Sequence, residues 1–151
     1  MTTAAQAELG PGRHIQGVRF LEHTADIGIE AEAESVAGCL ARAAAGLFGL
    51  MFIPPAYVAR DRRAEMQLEA ASAEDLLVGW LQELLYRSEV EGTCFLRFEV
   101  ETDGCSLRGR AWGIPIGDAE PAGPAVKGVT RHALALTQRH GRWRARVLVD
   151  V

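Results

Sequence analysis

The chain has 151 residues, of which 48% are hydrophobic and 24% charged, the composition of one globular domain with a single sizeable core rather than of a disordered chain. A net charge of -4 repels phosphate, so strong direct nucleic-acid binding is not expected without a local basic patch. Only Arg139, His140, Arg142, Arg144 and Arg146 cluster in that way. No apolar run approaches the ~20 residues of a membrane span, and residues 1–16 lack the basic start of a signal peptide.

Three cysteines, Cys39, Cys94 and Cys105, form no CxxC pair. An odd count without that spacing argues against a disulfide framework or a zinc site and for a reduced, cytoplasmic setting.

Residues 1–16 read as a loose tail, which leaves one domain over 17–151. From Arg19 the pattern becomes periodic. Ala25, Ile27, Ile29, Ala31 and Ala33 alternate with Asp26, Gly28, Glu30 and Glu32, which predicts a half-buried strand with an acidic outer face. Ser35 is a helix cap, and Val36, Leu40, Ala44, Leu47, Phe48 and Met51 recur at helical spacing up to Pro54-Pro55. Gly38, Gly46 and Gly49 weaken that helix intrinsically, so packing must hold it. Arg63 to Ala70 predicts a strand.

Ser72 caps a second helix, whose Glu74 and Asp75 suit the positive N-terminal end of the dipole. Its stripe of Leu76, Leu77, Trp80, Leu81, Leu84 and Leu85 is core, and Gly92 ends it. Four strands follow. Leu96 to Val100 and Ser106 to Trp112 flank the hairpin turn Thr102-Asp103-Gly104. Residues 113–125 read as a Gly/Pro-rich loop, and Val126 to Leu136 and Trp143 to Val149 form a second hairpin around Arg139-His140-Gly141. Strands joined by short turns are antiparallel. The expected fold is therefore α+β: one domain in which an antiparallel sheet carries two packed helices.

No nucleophile elbow, phosphate loop, HExxH, EF-hand loop or dinucleotide fingerprint is present, so no catalytic residue is assigned. Two aspartates remain, Asp26 at the start of the first clear strand and Asp150 at the end of the last. With the main-chain oxygens of Val151, including the terminal carboxylate, they would supply oxygen donors for a hard cation if the two strand ends are neighbours. The plainer alternative is that strand-end aspartates pair with surface arginines, and Arg144 and Arg146 lie in phase with Asp150. His23 is either a partner of Asp26 or of the metal, or a backbone-bonded edge histidine. Lys127, beside the Gly/Pro-rich loop, and His132 on the same strand are either contacts for a partner's acidic group or phosphate, or solvated residues. The arginine-rich hairpin could touch RNA, although charged outer residues on a hairpin are the commoner case.

Three stretches together resemble the archease family: Phe20-Leu21-Glu22-His23-Thr24-Ala25-Asp26, then Asp75 to Tyr86, then Val126-Lys127-Gly128-Val129-Thr130-Arg131-His132 with the final Val149-Asp150-Val151. The resemblance implies a non-enzymatic protein that stimulates the GTP-dependent RNA ligase joining tRNA halves, promoting its guanylylation and multiple turnover. It also implies a divalent cation, calcium with magnesium or manganese as alternatives, held by Asp26, Asp150 and Val151. A chaperone-like role with a tRNA methyltransferase is the second partnership it implies. The chain departs from the family pattern at Gly113-Ile114, where Gly-Glu is common, at Gly128 and Arg131, and in lacking a Lys-His pair within 113–125. A third reading, a small metal-dependent hydrolase, needs an activated water and a base, for which His23 is the only nearby candidate.

Overall fold

The structure is a computed structural model and describes residues 2–10, 15–23, 26–56 and 59–151. Ten strands and two α-helices are described: β1 (Thr3–Glu8), β2 (Val18–His23), β3 (Asp26–Ala33), α1 (Val36–Met51), β4 (Phe52–Ile53), β5 (Arg62–Glu69), α2 (Ala73–Glu91), β6 (Thr93–Thr102), β7 (Ser106–Pro115), β8 (Glu120–Pro121), β9 (Gly128–Arg139) and β10 (Arg142–Asp150). The α+β class is as expected, and every described strand pair is antiparallel. The strands divide between two four-stranded sheets, β1-β6-β7-β5 and β2-β3-β10-β9, with a small β4-β8 ribbon beside them.

Both helices contact strands of both large sheets and so form the layer between them. That position explains the composition of α1. A helix apolar on all sides is a buried one, and twelve of the sixteen residues of α1 are buried. Gly46 marks a close approach to one sheet: a Cβ there would meet Val18 at 3.0 Å and Ile29 at 3.1 Å. The Ser35 hydroxyl accepts from the Gly38 N–H at 3.0 Å, so the predicted cap holds. In α2 the Ser72 hydroxyl accepts from the Asp75 N–H at 3.1 Å, and Gly92 closes the helix at φ 63°. Trp80 is fully buried, donates its indole N–H to the Leu40 carbonyl at 2.9 Å, and thereby ties the two helices together.

Two sequence expectations need correction. Residues 3–8, expected within a loose tail, form β1, which pairs residue for residue with β6 from Thr3↔Thr102 to Glu8↔Arg97. Ala5 and Ala7 pack on the core, and Leu9 beyond them is 1% exposed. Small side chains gave that strand no visible alternation. Residues 113–125 are also not one loop. β7 runs on to Pro115, and Glu120–Pro121 pairs with Phe52–Ile53 across the end of α1.

Gly109 lies on the inner face of β7, where a Cβ would overlap the Trp80 ring. The buried indole has no room to retreat, so Gly109→Ala should cost about 1–3 kcal/mol by overpacking. Urea denaturation should show a lower midpoint with an unchanged slope.

Candidate metal centre

Sheet pairing brings the two aspartates together. Asp26 opens β3, Asp150 closes β10, and the register makes them direct cross-strand partners. Opposed residues of an antiparallel pair share a face, with Cβ atoms about 5 Å apart. Two carboxylates so placed repel each other unless a cation joins them. The row extends to both sides, since His23 of β2 pairs with Asp26 and Gly128 of β9 pairs with Asp150. Thr24 and Ala25 of the same motif lie outside the described residues.

The Lys127 N–H donates to the Asp150 carbonyl at 2.7 Å, so the segment entering β9 is pinned at this row, with Lys127 itself exposed. Val151 follows immediately and is half-buried. His132 stands apart, in a bulge of residues 131–134 where the β9 pairing jumps from Ala135↔Arg146 to Thr130↔Leu148. Its N–H donates to the Thr130 hydroxyl at 3.1 Å, and Ala133 beside it is held at φ 56°. Arg131 of the bulge pairs with Asp75, and its guanidinium holds that carboxyl below the usual range.

The surface alternative for Asp150 required Arg144 or Arg146, but other carboxylates take both. Arg146 Nη2 lies 3.2 Å from Glu30 Oε2, and Arg144 Nη2 lies 2.5 Å from Glu32 Oε1. Arg144 also approaches Glu30 at 3.6 Å, and Arg19 of β2 pairs with Glu30 as well. Among the described residues no lysine or arginine forms an ion pair with Asp26 or Asp150. Glu30 is 1% exposed although it faces outward, because three guanidinium groups roof it over. Burial pushes its carboxyl pKa up, but hydrogen bonds from Arg19 and Arg146 and the charges of Arg19 and Arg144 outweigh that, leaving it below the ordinary value. This network escaped the sequence analysis. Its signal was available, since counting in twos from an Asp26–Asp150 pairing sets Glu30 against Arg146 and Glu32 against Arg144.

The donors at the row's centre are oxygens. Among the described residues no three His, Cys, Asp or Glu side chains gather in one place. Two carboxylates and the Val151 main-chain oxygens suit calcium, magnesium or manganese, which favour oxygen, and not zinc. They would fill only part of a calcium shell of about 6–8 oxygens, and water or a partner would have to supply the rest. Burial pushes the Cys39 thiol up to about 11 and the Cys94 thiol up to about 12, so neither buried cysteine is a reactive thiolate, while Cys105 is free and exposed.

The model of the archease protein family (MTH1598/TM1083) matches residues 19–151. The chain belongs to the archease family. Protein archease of Methanopyrus kandleri is 35% identical over 136 residues, covering 87% of this chain and 96% of that protein. The Methanosarcina mazei archease is 36% identical over 138 residues, 87% and 94% of the two chains. The solution structure of Methanobacterium thermoautotrophicum protein 1598 superimposes with a TM-score of 0.71 at 28% identity, over 89% of this chain and 99% of that one. The crystal structure of a Thermotoga maritima archease, described as a possible chaperone, shares the fold at a TM-score of 0.62 and 20% identity, over 87% and 94%. Two helices packed on antiparallel sheets are thus the archease architecture.

In this archease, Glu30→Gln should remove about 1–3 kcal/mol of stability at neutral pH, discounted because the three arginines are partly solvated. A carboxyl whose folded pKa is depressed contributes stability that is complete above its unfolded value, about 4.3, and lost as pH falls through the folded value. Urea midpoints measured across the acid range should therefore fall less steeply below that pH for Glu30→Gln than for the unaltered protein.

Proposed function

We propose that this archease is a non-catalytic, cation-dependent activator of a GTP-dependent tRNA-splicing RNA ligase, promoting its guanylylation and multiple turnover. The observation that supports this best is the pairing of Asp26 with Asp150, two carboxylates held opposite each other with neither neutralised by a described arginine or lysine. In this reading Asp26, Asp150 and the Val151 main chain hold calcium, with magnesium or manganese as alternatives. His23 and Lys127 flank the row, and His132 faces the partner from the bulge. The setting is the cytoplasm.

The physical logic is shared coordination. A cation gripped by two carboxylates on a rigid sheet end keeps open positions, and oxygens of the ligase or of its nucleotide phosphates can occupy them. Binding then favours whichever ligase state presents those oxygens, and an activator works only through such a difference between states. The aspartates orient the ion, the Lys127 N–H fixes the Asp150 backbone, and no described residue needs to donate or remove a proton during ligation.

In multiple-turnover ligation with limiting ligase, the unaltered protein should raise turnovers per ligase, and Asp26→Ala or Asp150→Asn should lose at least about tenfold of that stimulation, about 1.4 kcal/mol. Full stimulation by a folded Asp26→Ala protein would reject the reading. Stimulation of a tRNA methyltransferase instead would move the role to that partner, and turnover without any partner would point to a hydrolase. Thermal melts give a second check. Calcium at about 100 times its Kd should stabilise the unaltered protein by about 2.7 kcal/mol, and should leave the melting temperature of either variant unmoved.

A further inference from the structure

The tip of the β9–β10 hairpin is the other chemically distinctive end of the sheet that carries the aspartates. Arg139 and Arg142 flank the turn as direct cross-strand partners. Like charges directly opposite each other destabilise a strand pair unless an anion joins them. The other outward arginines of this sheet are engaged: Arg19 and Arg146 with Glu30, Arg144 with Glu32. Arg131, in the bulge, pairs with Asp75. Among the described residues Arg139 and Arg142 form no ion pair, and both are exposed.

The turn between them adds a third polar group. His140 and Gly141 lie at φ 54° and 76°, the two left-handed positions of a tight hairpin turn. His140, at the first of these, is exposed and sets an imidazole beside the two guanidinium groups. Together these residues line a groove of about 350 Å³ whose walls include Thr137, Arg139, His140, Arg142 and Arg144. Its one carboxylate, Glu32, is already bonded by Arg144 at 2.5 Å, so the groove keeps a positive surplus on a protein of net charge -4.

We propose that this tip is a phosphate-binding site for the backbone of single-stranded RNA. Guanidinium groups present planar forks that match phosphate oxygens bidentately. Two of them side by side, without acidic partners and around a concave surface, suit successive phosphates of a polyanion. β10 runs nine residues from Arg142 to Asp150, so the tip stands about 26 Å from the aspartate row. The protein thus touches RNA at one end of the sheet and a cation at the other. The choice of RNA over another polyanion rests on the reading of the partner as an RNA-processing enzyme, but the test uses RNA alone and does not involve the ligase or the cation.

Fluorescence anisotropy with a labelled single-stranded RNA at low salt is the measurement. The unaltered protein should bind, and Arg139→Glu/Arg142→Glu should weaken binding at least about tenfold, with the milder Arg139→Gln/Arg142→Gln moving the same way. Arg108→Glu/Arg110→Glu on the opposite sheet changes the net charge equally and should bind as the unaltered protein does. For the glutamine pair, the slope of log affinity against log salt should fall by about 1.4, about 0.7 for each single-strand phosphate no longer neutralised. No binding by the unaltered protein overturns the proposal. So does equal weakening in the control pair, unchanged binding by a folded tip variant, or displacement of the RNA by polyglutamate as readily as by unlabelled RNA.

Discussion

The register between β3 and β10 is the constraint on which the rest of the molecule's chemistry depends. Sliding either strand by one residue would turn Ile29, Ala31, Val147 and Val149 out of the core and bury Glu30, Arg144 and Arg146 without partners. Sliding by two would keep the faces but leave Asp150 opposite Gly28 and reduce the two opposed Glu–Arg pairs to one, Glu32 with Arg146. The core therefore excludes odd slips, and the charge ladder disfavours even ones by the loss of one of its two opposed pairs. Repulsion between Asp26 and Asp150 works against the register at one end, and the ion pairs along the same strands outweigh it. Exposed ion pairs are individually weak, but Glu30 is buried beneath three partly solvated arginines, so its charge depends on them for compensation.

The helical layer turns that local register into a fixed platform. α1 presses on β1 and β6 of one sheet and on β2, β3 and β10 of the other, so the sheet bearing the aspartates is braced from inside along its centre. Its outer face carries the charge ladder, with Leu21 and Leu148 packed across Gly28. The 131–134 bulge then interrupts β9, an edge strand of twelve residues that would otherwise present a long unpaired ladder. Arg131 anchors the bulge to the start of α2 through Asp75, where a carboxylate also suits the helix dipole. Thus the edge beside the aspartate row carries a side-chain contact to the helix layer, and the same bulge holds Ala133 at φ 56°.

How much of this was legible in the sequence depended on whether the signal was periodic. The caps Ser35 and Ser72, the Leu/Trp stripe of α2 and the alternation of β3 and β10 each come from patterns a single segment displays, and the structure follows them to within a residue or two. β1 was missed because Ala4, Ala5 and Ala7 differ little in polarity, so its strand character comes from pairing with β6, which no local pattern reveals. The division into two sheets was likewise invisible, and only the burial of α1 on nearly every side, a structural finding, shows a layer on both sides of it. The aspartate pair lay between these cases. Each residue was singled out from its position at a strand end, but their adjacency follows only from which strands are neighbours, and that is a tertiary fact.

The sheet that results is chemically polarised along β10. At its end, two carboxylates face each other with no described arginine or lysine between them, and at its beginning two guanidinium groups do the same with no described carboxylate. Between them every arginine of β10 finds an acid on β3. A protein that neutralised its charges wherever it could would have paired the two ends as well, since one arginine shifted toward Asp150 would relieve both repulsions. Leaving like charges opposed at two places lowers stability at each, and such local costs are characteristic of positions reserved for a ligand. In the proposed reading a cation at one end and a polyanion at the other would each remove one of these repulsions, and because both ends belong to one braced strand, a partner contacting both would be held in a single orientation.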